Sequence, residues 1–208
     1  MKTLNKQRRT NESLRSHAVM RTDAYVLLGA LLTTVPSQER ISLIQNMSWE
    51  EDLPEPMHRA LTSLKHAGEI CSTRSIIDEY NRIFIGLGSG ELVPYASWYQ
   101  EKMIQSTPLA RIRNALRHLG IIRQEESFES EDHAGSLCEI MALLSMPGNS
   151  VTEQEQITFF FDHIGSWMGN FFVDLQKIRD AVFYPAVGSF GQCFLETESD
   201  YLTNMTDY

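Results

Sequence analysis

Apolar positions in this chain recur at helical spacing, and no stretch shows the strict alternation of a half-buried strand. The pattern predicts a first helix from about Ser16 to Thr33, stopped by Pro36. Ile41, Ile44 and Met47 mark a second over Ser37 to Met47, and Met57, Leu61 and Leu64 a third over Pro54 to Ala67, with Gly68 as its expected end. Ile76, Ile77, Tyr80, Ile83 and Phe84 make one continuous stripe that stops at Gly86. Thr107-Pro108 supplies a cap and a first-turn proline for a helix carrying Leu109, Ile112, Leu116 and Leu119, closed by Gly120. Leu137, Met141 and Leu144 place another over Glu131 to Ser145, before Pro147-Gly148. Thr152-x-x-Glu155 is a capping box opening a helix through Phe159, Phe160 and Ile164 to a break at Gly165. Met168, Phe171, Phe172 and Leu175 form the next stripe, and the last helix spans about Tyr184 to Leu195, after which the acidic tail is expected to fray. Nine or so helices with short connections predict an all-α, compact multi-helix fold.

At 208 residues the chain is long enough for one self-sufficient core. The polar residues 1–15 are expected to be disordered, and the acidic stretch around 124–132 reads as a hinge. It separates a helical lobe of 16–123 from one of 133–208, within one functional domain. Acidic groups (27) outnumber basic ones (18), for a formal charge of -9, which disfavours nucleic acid and anionic membrane surfaces. It favours a basic partner, or simply solubility. The richest apolar run, Tyr25 to Leu32, is too short to span a bilayer, and no signal-type leader stands before it, so the expected location is the cytoplasm without stable membrane insertion. Cys71, Cys138 and Cys193 are dispersed and odd in number, which fits buried free thiols rather than a disulfide framework or a zinc site.

Catalytic signatures are poor. Gly86-x-Gly88-x-Gly90 follows a helix rather than a strand and lacks the Gly-Lys-Ser/Thr of a phosphate loop, so it reads as a connector needing positive φ. No Gly-x-Ser-x-Gly elbow occurs. Asp132 and His133 are neighbours, so on a helix they point about 100° apart, unlike an acid that orients its histidine across space. Asp132-His133 and Asp162-His163 are only two pairs, short of a converging metal set. The remaining unusual stretch is Pro94-Tyr95-Ala96-Ser97-Trp98-Tyr99, with three aromatics in five residues after the glycine-rich loop. It either caps the core or forms a partly exposed peptide platform. Spacing alone favours packing.

The residues Glu79-Tyr80-Asn81-Arg82-Ile83-Phe84-Ile85-Gly86-Leu87-Gly88, running on to Pro94-Tyr95-Ala96-Ser97-Trp98-Tyr99, resemble the signature of the TorD/DmsD family. Glu131-Asp132-His133-Ala134-Gly135-Ser136-Leu137 is similar to the family's hinge segment, although Ser130 or Glu131 stands where a proline is usual. Trp167 to Tyr184 is similar to its late Trp-x-x-x-Phe-x-x-Asp-Leu helix and Phe-Tyr pair. The resemblance implies a cytoplasmic redox-enzyme maturation chaperone without catalytic activity. Such a protein binds an apo-molybdoenzyme reductase of the TMAO/DMSO type and its twin-arginine signal peptide, as a monomer or domain-swapped dimer. No cofactor is expected, although weak GTP binding is reported in the family. It places the peptide site at Tyr95, Ser97, Tyr99, Asp132 and His133, supported by Gly86, Gly88 and Pro94, with Asp132 available to a guanidinium. The rival readings are a GTP hydrolase built on the glycine loop and Asp132-His133, and an all-helical regulatory scaffold.

Overall fold

A computed structural model describes residues 2–49, 53–86, 90–100, 107–122 and 129–205, with side chains from His17 onward. The expectations for Gly88 and for the first part of the hinge, 124–128, therefore fall outside the described residues, whereas 2–15 lie in the first helix, which starts well before the expected Ser16. Ten α-helices follow in order: α1 (Lys2–Thr33), α2 (Gln38–Gln45), α3 (Glu55–Ile70), α4 (Thr73–Tyr80), α5 (Ala96–Tyr99), α6 (Pro108–His118), α7 (Ala134–Ser145), α8 (Glu153–Phe160), α9 (Met168–Gln176) and α10 (Phe183–Met205). Two of them, α4 and α8, run on into single π-helical turns, Asn81–Ile85 and Phe161–Gly165. Among the described residues there is no strand, only an isolated bridge between Tyr95 and His133. The fold is all-α as the periodicity predicts. The helix beyond the expected nine is α5, a single turn inside the aromatic stretch.

Local chemistry sets most boundaries. Ser37, Ser72 and Thr107 each accept a backbone N–H from the first turn of α2, α4 and α6 at 3.1–3.3 Å. Thr152 and Glu155 form the complete capping box of α8, with the Thr152 N–H donating to the Glu155 carboxylate at 2.7 Å. Gly120, at φ 69°, closes α6. Gly68 does not close α3, which runs on to Ile70. Its missing side chain serves packing instead, since a Cβ there would sit 3.2 Å from Ile44 Cγ2.

At the centre lies α1, whose Tyr25, Leu28, Leu31 and Leu32 are fully buried. It runs antiparallel to α7, and the two backbones close up at glycines. A Cβ on Gly135 would stand 2.5 Å from Thr33 Cγ2, and one on Gly29 would stand 2.8 Å from Glu139 Cγ. α10 lies antiparallel to α1 on another side, with Tyr184 OH donating to Leu31 O at 3.1 Å and Phe194 edge-on to Tyr25. α10 also packs against α3 and α9, and a Cβ on Gly191 would fall 2.3 Å from Phe172 Cε1. The core thus crosses the expected hinge, joining α1 and α3 to α7, α9 and α10.

The tail expected to fray after Glu196 is instead the last part of α10. Glu198 is 1% exposed and takes the Arg21 guanidinium in a two-pronged pair, Nε and Nη2 each at 2.7 Å, while Tyr25 OH donates to it at 3.1 Å. Leu202, also 1% exposed, packs one turn later. Removing one partner of a buried ion pair leaves the other charge stranded, so Glu198→Ala is expected to cost about 3–5 kcal/mol in urea denaturation. Glu196→Ala, at an exposed position on the same helix, is expected to cost less than about 0.5 kcal/mol. Equal effects would contradict this account of α10.

Candidate functional site

The end of α4 is tied to the start of α10 by two side chains. The buried Glu79 carboxylate accepts the backbone N–H groups of Val182, Phe183 and Tyr184 at 2.9–3.3 Å. It satisfies donors that a helix N-terminus leaves open and sits at the positive end of the helix dipole. Arg82, one turn on, donates to the carbonyls of Arg179 and Asp180 at 3.1 and 3.0 Å and pairs with Glu91 at 2.7 Å. Neither role is signalled locally in the sequence, because the partners lie about a hundred residues on. The chain then reverses through Gly86 at φ 45° and Gly90 at φ 68°, where a Cβ on Gly90 would lie 2.5 Å from Ile83 O. The two described glycines of the loop therefore serve the turn.

Beyond the loop the aromatic segment is clasped to the start of α7. Ala134 N donates to Pro94 O at 2.7 Å and Ala96 N to Asp132 O at 2.9 Å, forming the Tyr95–His133 bridge. The Asp132 carboxylate accepts from Ser97 N at 3.3 Å and from the hydroxyls of Ser97 and Ser130. It therefore holds the first turn of α5, and at 3% exposure it is sealed from solvent. His133, equally buried, caps α7 by accepting Gly135 N on Nδ1 at 3.1 Å, and its ring meets Tyr95 edge-on. Burial lowers its pKa to about 4, against the opposing fields of Glu129 and Asp132. A neutral ring that accepts at Nδ1 carries its proton on Nε2.

The five predicted residues do come together, but unequally. Asp132 and His133 form the buried frame, whereas Tyr95, Ser97 and Tyr99 are half-buried at its surface. Tyr95 OH donates to Glu129 at 2.5 Å and Tyr99 OH to Asp174 at 3.2 Å. Burial first, and then these carboxylates, push both phenol pKa values up. Tyr99 also packs on Trp167, ring centroids 5.4 Å apart. Trp98, one of the three aromatics of this stretch but not among the five predicted site residues, is 60% exposed on the outer face of α5. It stands between two half-buried tyrosines, Tyr95 as the N-cap of α5 and Tyr99 as its last residue. Asp132 and His133 do not face one another as an acid–base pair, since each is committed to backbone amides. Among the described residues no three His, Cys, Asp or Glu side chains converge as metal ligands, and no helix is long and apolar enough to cross a membrane.

Comparison with known proteins bears on this geometry. The family described as nitrate reductase delta subunit matches residues 50–173, which include the loop, α5 and the Asp132-His133 frame. The chain is also 26% identical over 171 residues to a protein of Haemophilus influenzae named probable Tat proofreading chaperone DmsD, covering 77% of this chain and 81% of that one.

The neutral state of His133 makes stability acid-sensitive. Its folded pKa lies below the unfolded value of about 6.5, so its contribution is fully present above that pH and is lost as pH falls towards 4. The loss is expected to reach about 3 kcal/mol. His133→Asn keeps a capping acceptor without a titrating ring, so denaturation measured from pH 7 to 4 is expected to give a flatter profile for this variant. Parallel profiles would contradict the assignment.

Proposed function

The chain belongs to the nitrate reductase delta subunit family, a family of redox-enzyme maturation chaperones, and from that premise we propose that it binds the twin-arginine signal peptide of an apo-molybdoenzyme reductase in the cytoplasm. It holds the enzyme for cofactor insertion and delays its export until that is done. The observation that carries this reading is α5: an exposed Trp98 flanked by half-buried Tyr95 and Tyr99, presented by a rigid buried frame. Aromatic side chains with polar tips gain large contact areas at small entropic cost, which suits an apolar peptide with a cationic end. The charge of -9 favours encounter with such a peptide.

In this reading Asp132 does not meet the peptide's arginines, because both its oxygens are already engaged inside the protein. It fixes the orientation of α5, and His133 fixes the start of α7 beneath it. The peptide contacts fall to Tyr95, Trp98 and Tyr99. Titration calorimetry with twin-arginine signal peptides from redox enzymes of the same genome tests this. Trp98→Ala and Tyr95→Ala are each expected to weaken binding about tenfold, an interface anchor's worth, with unchanged helical content by circular dichroism. Absence of binding to every such peptide would overturn the reading, and full binding by both variants would overturn the site.

A further inference from the structure

We propose that the groove between α9 and α10 receives the arginine-bearing end of the peptide, as a continuation of the α5 surface, an inference that rests on the chaperone reading above. The groove encloses about 570 Å³, within the range of ligand-sized pockets. It begins where the α5 surface ends. Tyr99 packs on Trp167, which lines the groove, and Gln100 Nε2 donates to Ser166 Oγ at 2.6 Å, also on its rim. Its apolar base is Phe160, Trp167 and Leu195, all buried. Gly165, Ser166, Gly169 and Ser199 are among its lining residues. A Cβ built on Gly169 would meet nothing within 4 Å.

The far wall carries Glu196 and Asp200, exposed and one helical turn apart on α10, and no lysine or arginine lines the groove. Acids nearer the aromatic segment are already engaged. Asp132 serves Ser97 and Ser130, Glu131 pairs with Arg113, Glu129 accepts from Tyr95, and Asp174 holds Tyr99 and Lys177. Glu196 accepts from the neutral Gln192 Nε2 at 2.9 Å, and neither it nor Asp200 has an ion-pair partner among the described residues. A carboxylate pair above an aromatic and aliphatic base suits guanidinium groups, which are planar, weakly hydrated and able to stack while donating in a fork. Spacing i, i+4 lets adjacent arginines of an extended or helical segment each find one acid.

The test uses a synthetic twin-arginine signal peptide from a redox enzyme of the same genome, and its counterpart with both arginines changed to glutamine, titrated against the full-length protein. The variant E196Q/D200N is expected to bind the arginine peptide about fivefold to tenfold more weakly, as two partly exposed charge pairs would give, and the glutamine peptide unchanged. Gly169→Leu fills the groove from a helical position with open space, so it is expected to abolish binding of the arginine peptide while the thermal midpoint stays at or above that of the parent. Equal losses for both peptides in E196Q/D200N, or parental affinity in both groove variants, would overturn the groove assignment alone. If the unaltered protein binds neither peptide, the chaperone reading itself falls.

Discussion

Three backbone amides at the start of α10 converge on one buried carboxylate, that of Glu79, and most of the molecule is arranged around this contact. α10 packs against α1, α3 and α9, so its starting point and direction set the relation among all four. A helix N-terminus inside a protein must have its donors satisfied, and at this one Phe183 and Tyr184 are fully buried. Glu79 satisfies them with both oxygens of its carboxylate. Arg82 takes the two carbonyls just before it in the chain. The corner at 179–184 thus has its donors and acceptors matched by an acid and a base three residues apart on one helix. The same helix end turns through Gly86 and Gly90 into the segment that carries the candidate site, so α10 and α5 are positioned from a common base.

The all-α class and most helix limits were legible because they rest on local chemistry. The Thr107-Pro108 start, the Thr152–Glu155 box and the Gly120 stop depend on residues within a few positions of each other, and periodicity reports which face each helix buries. What could not be read was long-range. Glu198 looks solvated in a tail of Glu, Thr, Ser and Asp, and only Arg21, far back in the chain, explains its burial. Gly68 reads as a helix stop because that is the local meaning of glycine, yet its role is to admit Ile44. α5 was missed because one turn is too short to show a period.

For the candidate site, the sequence pointed to residues that lie together in the fold, but not to which of them are buried. Sequence brings Tyr95, Ser97, Tyr99, Asp132 and His133 together only through family resemblance, since more than thirty residues separate the two halves. Resemblance also invites reading every member as a contact residue. The structure separates those that present a surface from those that hold it. Asp132 spends its charge on Ser97 and Ser130, and His133 is held neutral by burial. Trp98, by contrast, is largely exposed between two half-buried tyrosines.

The Arg21–Glu198 pair also has a meaning in time. Its members are 177 residues apart, so α1 leaves the ribosome long before α10 exists to receive it. At ordinary rates of synthesis that interval is about 10–35 s. Throughout it, Tyr25, Leu28, Leu31 and Leu32 lack one of the helices that will cover them, and α7 emerges only partway through to close over the glycine seam. The buried pair therefore forms only once α10 has been made, a contact of high sequence separation whose loop-closure cost falls on that helix.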